Sequence, residues 1–115
     1  RAVVRGERVG YNGRWQAQRD SLIATVPVGY ADGYPRHAAD GTPVTVAGQR
    51  CALAGRVSMD MITVDVTDLD GVGIGSPVEL WGSQLGVGEV AAAAQTISYQ
   101  LLTGVSARVT RRTTQ

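Results

Sequence analysis

The sequence predicts a mainly β fold, an antiparallel Greek-key-like barrel with one or two short helices near residues 87–102, and three observations carry that reading. Fifteen glycines and four prolines cut the chain into short segments. Few apolar residues recur at helical spacing before residue 87. Residues 61–67 alternate strictly: Ile62, Val64 and Val66 on one side, Met61, Thr63, Asp65 and Thr67 on the other, as a strand with one buried face requires.

Similar runs predict strands at 2–5, 22–28, 43–47, 51–57, 77–81 and 107–111. Gly48 and Gln49 read as the tight turn between two of them. With 61–67 these runs are numerous and short enough for a closed or nearly closed antiparallel sheet. Residues 68–75 carry Gly71, Gly73 and Gly75 and form the most flexible loop. Beyond it the pattern changes, because Glu89 opens an alanine-rich segment through Ala94, and alanine is the best intrinsic helix former. Thr96 caps a second helical turn over 97–102 that Gly104 stops. No repeat or linker divides the chain, so 1–115 reads as one domain. Its opening at Arg1, inside the apolar run Ala2, Val3 and Val4, points to a piece of a longer protein.

Composition narrows the chemistry. All eleven basic residues are arginine and none is lysine, which excludes from this chain any step that needs a side-chain amine. A net charge of +1 offers no field that favours nucleic acid. Cys51 and His37 are each alone, so neither a disulfide nor a cysteine-based zinc site can be built, no metal is expected, and a cytoplasmic location fits. No apolar run approaches the ~20 residues of a membrane-spanning helix.

Two glycine-flanked segments hold three of the four tyrosines. They are the stretch 10–13 around Tyr11 and the stretch 29–36 with Tyr30, Tyr34 and Arg36. Flanking glycines let a backbone approach a ligand closely, although a tyrosine resting on a barrel rim with its hydroxyl in water would look the same. Residues 55–61 place Arg56, Ser58 and Asp60 beside the start of the clearest strand. The plain alternative there is a surface ion pair of Arg56 with Asp60 or Asp32, and two methionines filling core gaps. Tyr99, behind Thr96, Ile97 and Ser98, fits a buried tyrosine at a helix start equally well.

Taken together, VGYADGYPR (28–36), AGRVSMDMITVDVTD (54–68), VELWG (78–82), TISYQLLT (96–103) and ARVTR (107–111) closely resemble the carboxy-terminal domain of bacterial alanine racemase, in family order and spacing. The resemblance covers nearly the whole chain. It implies a pyridoxal-phosphate-dependent enzyme that interconverts L- and D-alanine and supplies D-alanine for peptidoglycan. A lysine of an amino-terminal β/α barrel would bind the cofactor, and this chain alone would be inactive. The barrel lysine would serve one face of the substrate Cα and Tyr11 the other, each as a base. A free tyrosine with pKa near ~10 is only about 0.1% ionised at pH 7, so Tyr11 would need a neighbouring cation or donor.

The resemblance further assigns Met59 to the substrate site through its backbone N–H, near the substrate carboxylate. Tyr99 would reach the cofactor phosphate. Tyr30, Arg36, Arg56 and Ile97 would line an entrance corridor. The implied partners are alanine and the barrel domains of the same chain and of a second chain in a head-to-tail homodimer. Tyr11 and Met59 would act in the partner's barrel. A serine racemase of the same fold family is an alternative. So is a stand-alone β-barrel interaction module with Arg108, Arg111 and Arg112 as a phosphate-contacting patch, a run more usual as a solvated basic tail.

Overall fold

A computed structural model describes residues 1–9, 13, 15–82 and 85–93. Strands β1 (Ala2–Val3), β4 (Ser21–Val26), β5 (Pro43–Val46), β6 (Gln49–Leu53), β7 (Ile62–Asp65) and β8 (Val78–Glu79) form one sheet in the order β1-β4-β7-β6-β5-β8. Every pairing is antiparallel. Strands β5, β6 and β7 follow one another, and β4 returns beside β7 across the long connection 27–42, which is the Greek-key arrangement. A separate hairpin pairs β2 (Arg8–Val9) with β3 (Trp15–Gln16). One helix, α1 (Val87–Ala93), completes the described elements.

The alternation at 61–67 is reproduced. Ile62, Val64 and Val66 are 1%, 0% and 2% exposed, in a cluster with Val44, Val46, Leu53 and Val57. A second cluster gathers Val3, Val9, Ala17, Ile23 and Ala54 under Trp15. Arg50, on β6, pairs with Glu89 and ties α1 to the sheet.

The mainly antiparallel β fold is as expected, and the word barrel fits it only loosely, because among the described residues the sheet is not closed. Strands β1 and β8 stand at its two edges, and each is only two residues long, too short to complete a ring of ladder bonds. The expected strand 107–111, the turn 97–102 and the basic residues Arg108, Arg111 and Arg112 lie outside the described residues. The helix begins at Val87, two residues before Glu89, which places that acidic side chain in its first turn, where the helix dipole favours it.

The β5–β6 turn also moves by one residue. Gln49 already pairs with Val46, so the connection is Ala47 and Gly48. Both have positive φ, 50° and 76°, as a two-residue turn between twisted strands demands. Ala47 is the one non-glycine described residue in that region, and its N–H donates to the Pro77 carbonyl at 2.7 Å. The loop 68–75 is tied at its start, where Arg19 forks onto the Asp68 carboxylate at 2.8 and 3.2 Å. The Gln49 side chain bonds both the N–H and the carbonyl of Asp70.

Candidate functional site

Strand register explains why two motifs far apart in sequence share one place. Val26, the last residue of β4, pairs with Ile62, the first of β7. The chain leaving β4 and the chain arriving at β7 therefore pass the same end of the sheet. These are the segments 28–36 and 54–61.

Their backbones then dock. The N–H groups of Tyr30 and Ala31 donate to the carbonyls of Ser58 and Met59 at 3.1 and 3.0 Å. The approach is so close that a Cβ on Gly29 would overlap both of those carbonyl oxygens, so only glycine fits there. Residues Tyr30–Asp32 form a 3-10 turn. The Asp32 carboxylate accepts from the Gly29 N–H at 3.0 Å, and Gly33, at φ 108°, ends the turn in the left-handed region.

On the other side, residues 58–61 make a tight turn. Ser58 donates twice to the Met61 carbonyl, from its N–H at 3.1 Å and its hydroxyl at 2.9 Å, while the Met61 N–H donates to Ser58 Oγ at 3.2 Å. Met59 and Asp60 are thereby held at the tip. Among the described residues the Met59 carbonyl is bonded and its N–H has no partner.

Between the two segments lies a cavity of about 460 Å³. Its lining includes Tyr30, Arg36, Arg56 and Met59, four of the seven site residues expected from the sequence. The Arg36 guanidinium carbon stands 5.1 Å from the centre of the half-buried Tyr30 ring, a cation–π contact. Two guanidinium groups against the single carboxylate of Asp60 give the cavity a positive bias that suits an anion. Met59 and Met61 are 51% and 48% exposed at its rim, so they do not fill core gaps. His37, Ser58 and Met61 also line it and were not assigned in advance; His37 directly follows Arg36, the one signal that could have marked it. Tyr11, Ile97 and Tyr99 lie outside the described residues.

A larger cavity, about 540 Å³, contains none of the expected site residues. It lies beside Tyr34 and Trp81, whose rings stack at 6.2 Å. Tyr34 is 3% exposed, so its hydroxyl is not in water as a rim tyrosine's would be, and burial pushes its phenol well above the ordinary range. Burial first, then the Asp65 charge, raises Cys51 to about 11, which keeps it a thiol near neutral pH. Among the described residues no three His, Cys, Asp or Glu side chains are grouped to hold a metal ion, and no helix is long and apolar enough to cross a membrane.

The family model described as "Alanine racemase, C-terminal domain" matches residues 1–113. The chain belongs to the alanine racemase C-terminal domain family. It is 62% identical over 112 residues to the alanine racemase of Chromohalobacter salexigens, covering 97% of this chain and 31% of that protein. The biosynthetic alanine racemase of Pseudomonas aeruginosa is 58% identical over 112 residues, again 97% and 31% of the two chains. The crystal structure of biosynthetic alanine racemase from Pseudomonas aeruginosa superposes with a TM-score of 0.97 at 56% identity, over 100% of this chain and 32% of that one. The Bartonella henselae alanine racemase, whose structure has covalently bound pyridoxal phosphate, matches at a TM-score of 0.85 and 36% identity, over 94% and 30%. This chain thus spans about a third of the length of its alanine racemase relatives.

Proposed function

We propose that this domain is the carboxy-terminal part of a pyridoxal-phosphate-dependent alanine racemase that interconverts L- and D-alanine in the cytoplasm and supplies D-alanine for peptidoglycan. The observation that best supports the reading is the docked pair of loops, which joins Tyr30, Arg36, Arg56 and Met59 around one cavity, the Met59 N–H having no partner among the described residues. That arrangement suits a carboxylate: the guanidinium groups draw it in and the fixed amide donates to it.

The chain contains no lysine, so its own residues do not fit covalent attachment of the cofactor. That lysine belongs to a barrel domain outside the present sequence, and the isolated chain is inactive. Pyridoxal phosphate, bound there, supplies the electron sink that Cα deprotonation needs. Within this chain, Tyr11 is the base on one face of Cα, taking the proton there in one direction of the reaction and supplying it there in the other while the barrel lysine does the converse on the opposite face; Met59 holds the carboxylate, and Tyr99 contacts the cofactor phosphate. Tyr30, Arg36, Arg56 and Ile97 form the entrance corridor. Tyr11 and Met59 serve the barrel of the second chain in a head-to-tail homodimer.

The test is D-alanine production from L-alanine by the full-length protein, comparing Tyr11 with Tyr11→Phe at equal cofactor loading. A loss of roughly several hundredfold is expected from removing a base. Near-normal activity in Tyr11→Phe would move the second base elsewhere, and no activity with Tyr11 intact would overturn the assigned reaction.

A further inference from the structure

We propose that Ser58 is a positioning residue for substrate binding, its hydroxyl fixing the 58–61 turn so that the Met59 N–H stays aimed at the substrate carboxylate. This rests on the reading of that N–H as the carboxylate donor. It adds a residue to which the family resemblance gave no role.

Three observations converge on Ser58. Its hydroxyl is both donor and acceptor to one residue, giving to the Met61 carbonyl at 2.9 Å and receiving from the Met61 N–H at 3.2 Å. Its N–H closes the same turn at 3.1 Å, and its own carbonyl receives the Tyr30 N–H from the opposite loop at 3.1 Å. Ser58 is therefore where the turn and the loop-to-loop docking meet. Finally, the bonds of this unit are distributed unevenly: the carbonyls of Ser58, Met59 and Met61 all accept within the chain, while the Met59 N–H between them is left over among the described residues. A donor with no bond among the described residues, on a turn that lines the same cavity as Arg36 and Arg56, is of use to an anion only if it cannot turn away. The hydroxyl that staples both ends of the turn supplies that constraint.

A carboxylate without an amine isolates this role, since propionate can use the donor but cannot react with the cofactor. In the full-length, cofactor-loaded enzyme, Ser58→Ala is expected to raise the propionate inhibition constant and the KM for L-alanine together by about tenfold, the loss of one hydrogen bond to a charged group. The kcat should change by less than about twofold, because the proton-transferring residues are untouched. Ser58→Thr, which keeps the hydroxyl, should recover most of the binding. Should Ser58→Ala fold poorly, Ser58→Cys keeps the shape with much weaker hydrogen bonds and must show the same split. Met59→Pro deletes the N–H itself and separates the two ideas. If Met59→Pro weakens propionate but Ser58→Ala does not, Ser58 is no positioning residue and the Met59 reading survives. If neither variant moves propionate, the Met59 donor is wrong and the inference falls with it. Equal losses in kcat, KM and melting temperature, unrelieved by Ser58→Thr, would reduce Ser58 to a structural role and overturn the proposal.

Discussion

Tyr30 and Tyr34 come from one run of nine residues and end in opposite surroundings. Tyr30 is half-buried against a polar cavity, with the Arg36 guanidinium over its ring. Tyr34, four residues on, is 3% exposed, stacked on Trp81, and its buried hydroxyl has no hydrogen-bond partner among the described residues. The turn at Tyr30–Asp32 and the left-handed Gly33 reverse the chain between them, so one tyrosine faces the candidate site and the other the sheet. A short, sharply bent segment thus builds a binding wall and anchors it to the core at once. Changes on the anchor side should act on stability, and changes on the wall should act on ligand.

The hinge of this arrangement is Gly29, and its substitution should have the largest effect. Gly29→Ala drives a Cβ into the backbone of Ser58 and Met59, where no flexible side chain can give way. A loss of about 3 kcal/mol or more in urea denaturation is expected, the range for forced backbone displacement in a packed region. A loss below about 1 kcal/mol would mean that the two loops part easily, and the shared wall would then be a weak description of this region.

Tyr34→Phe should act in the other direction. Removing a buried hydroxyl that has no partner among the described residues relieves a desolvation cost of about 1–3 kcal/mol, so the variant should be more stable by about 1 kcal/mol, with ligand binding unchanged. The pH dependence carries a sign of its own. The folded phenol titrates above its unfolded value near 10, so the neutral form is what folding favours. Stability is intact below pH 10 and falls as pH rises beyond it, when the unfolded chain ionises and the folded one does not. Tyr34→Phe removes that loss, and its advantage over the parent should widen above pH 10. An advantage that shrinks there would contradict the burial of the hydroxyl.

Much of this was legible in the sequence, for reasons that differ by residue. The alternation of Ile62, Val64 and Val66 is a local pattern and reads directly as one buried face. The hairpin of β2 and β3 has strands of two residues, too short to alternate, and left no such trace. The one-residue shift to Ala47–Gly48 arose because alanine rarely adopts positive φ, so the pattern pointed past it to Gly48 and Gln49. Gly29 could be seen as permissive, but the backbone it must avoid lies about thirty residues away and only the fold brings it near. Tyr30 and Tyr34 could not be told apart, since the bend between them decides which way each faces. The resemblance, rather than any local spacing, selected Tyr30, Arg36, Arg56 and Met59, which the fold then gathers around one cavity.

Arg36 offers the finest division between wall and anchor. The side chain is exposed, and its contact with Tyr30 should contribute no more than about 1 kcal/mol. Arg36→Met keeps the apolar stem and removes the charge, so the change in unfolding midpoint should be the smallest of the three. Affinity for propionate should nevertheless fall, and its dependence on salt should weaken, because one of two cavity guanidinium groups no longer attracts the carboxylate over the ~10 Å that screening allows at 0.1 M salt. The comparison with Tyr34→Phe is then a crossed one: stability moves without ligand at one tyrosine, and ligand moves almost without stability beside the other. A large stability loss in Arg36→Met with unchanged propionate affinity would reverse the assignment and make Arg36 part of the anchor.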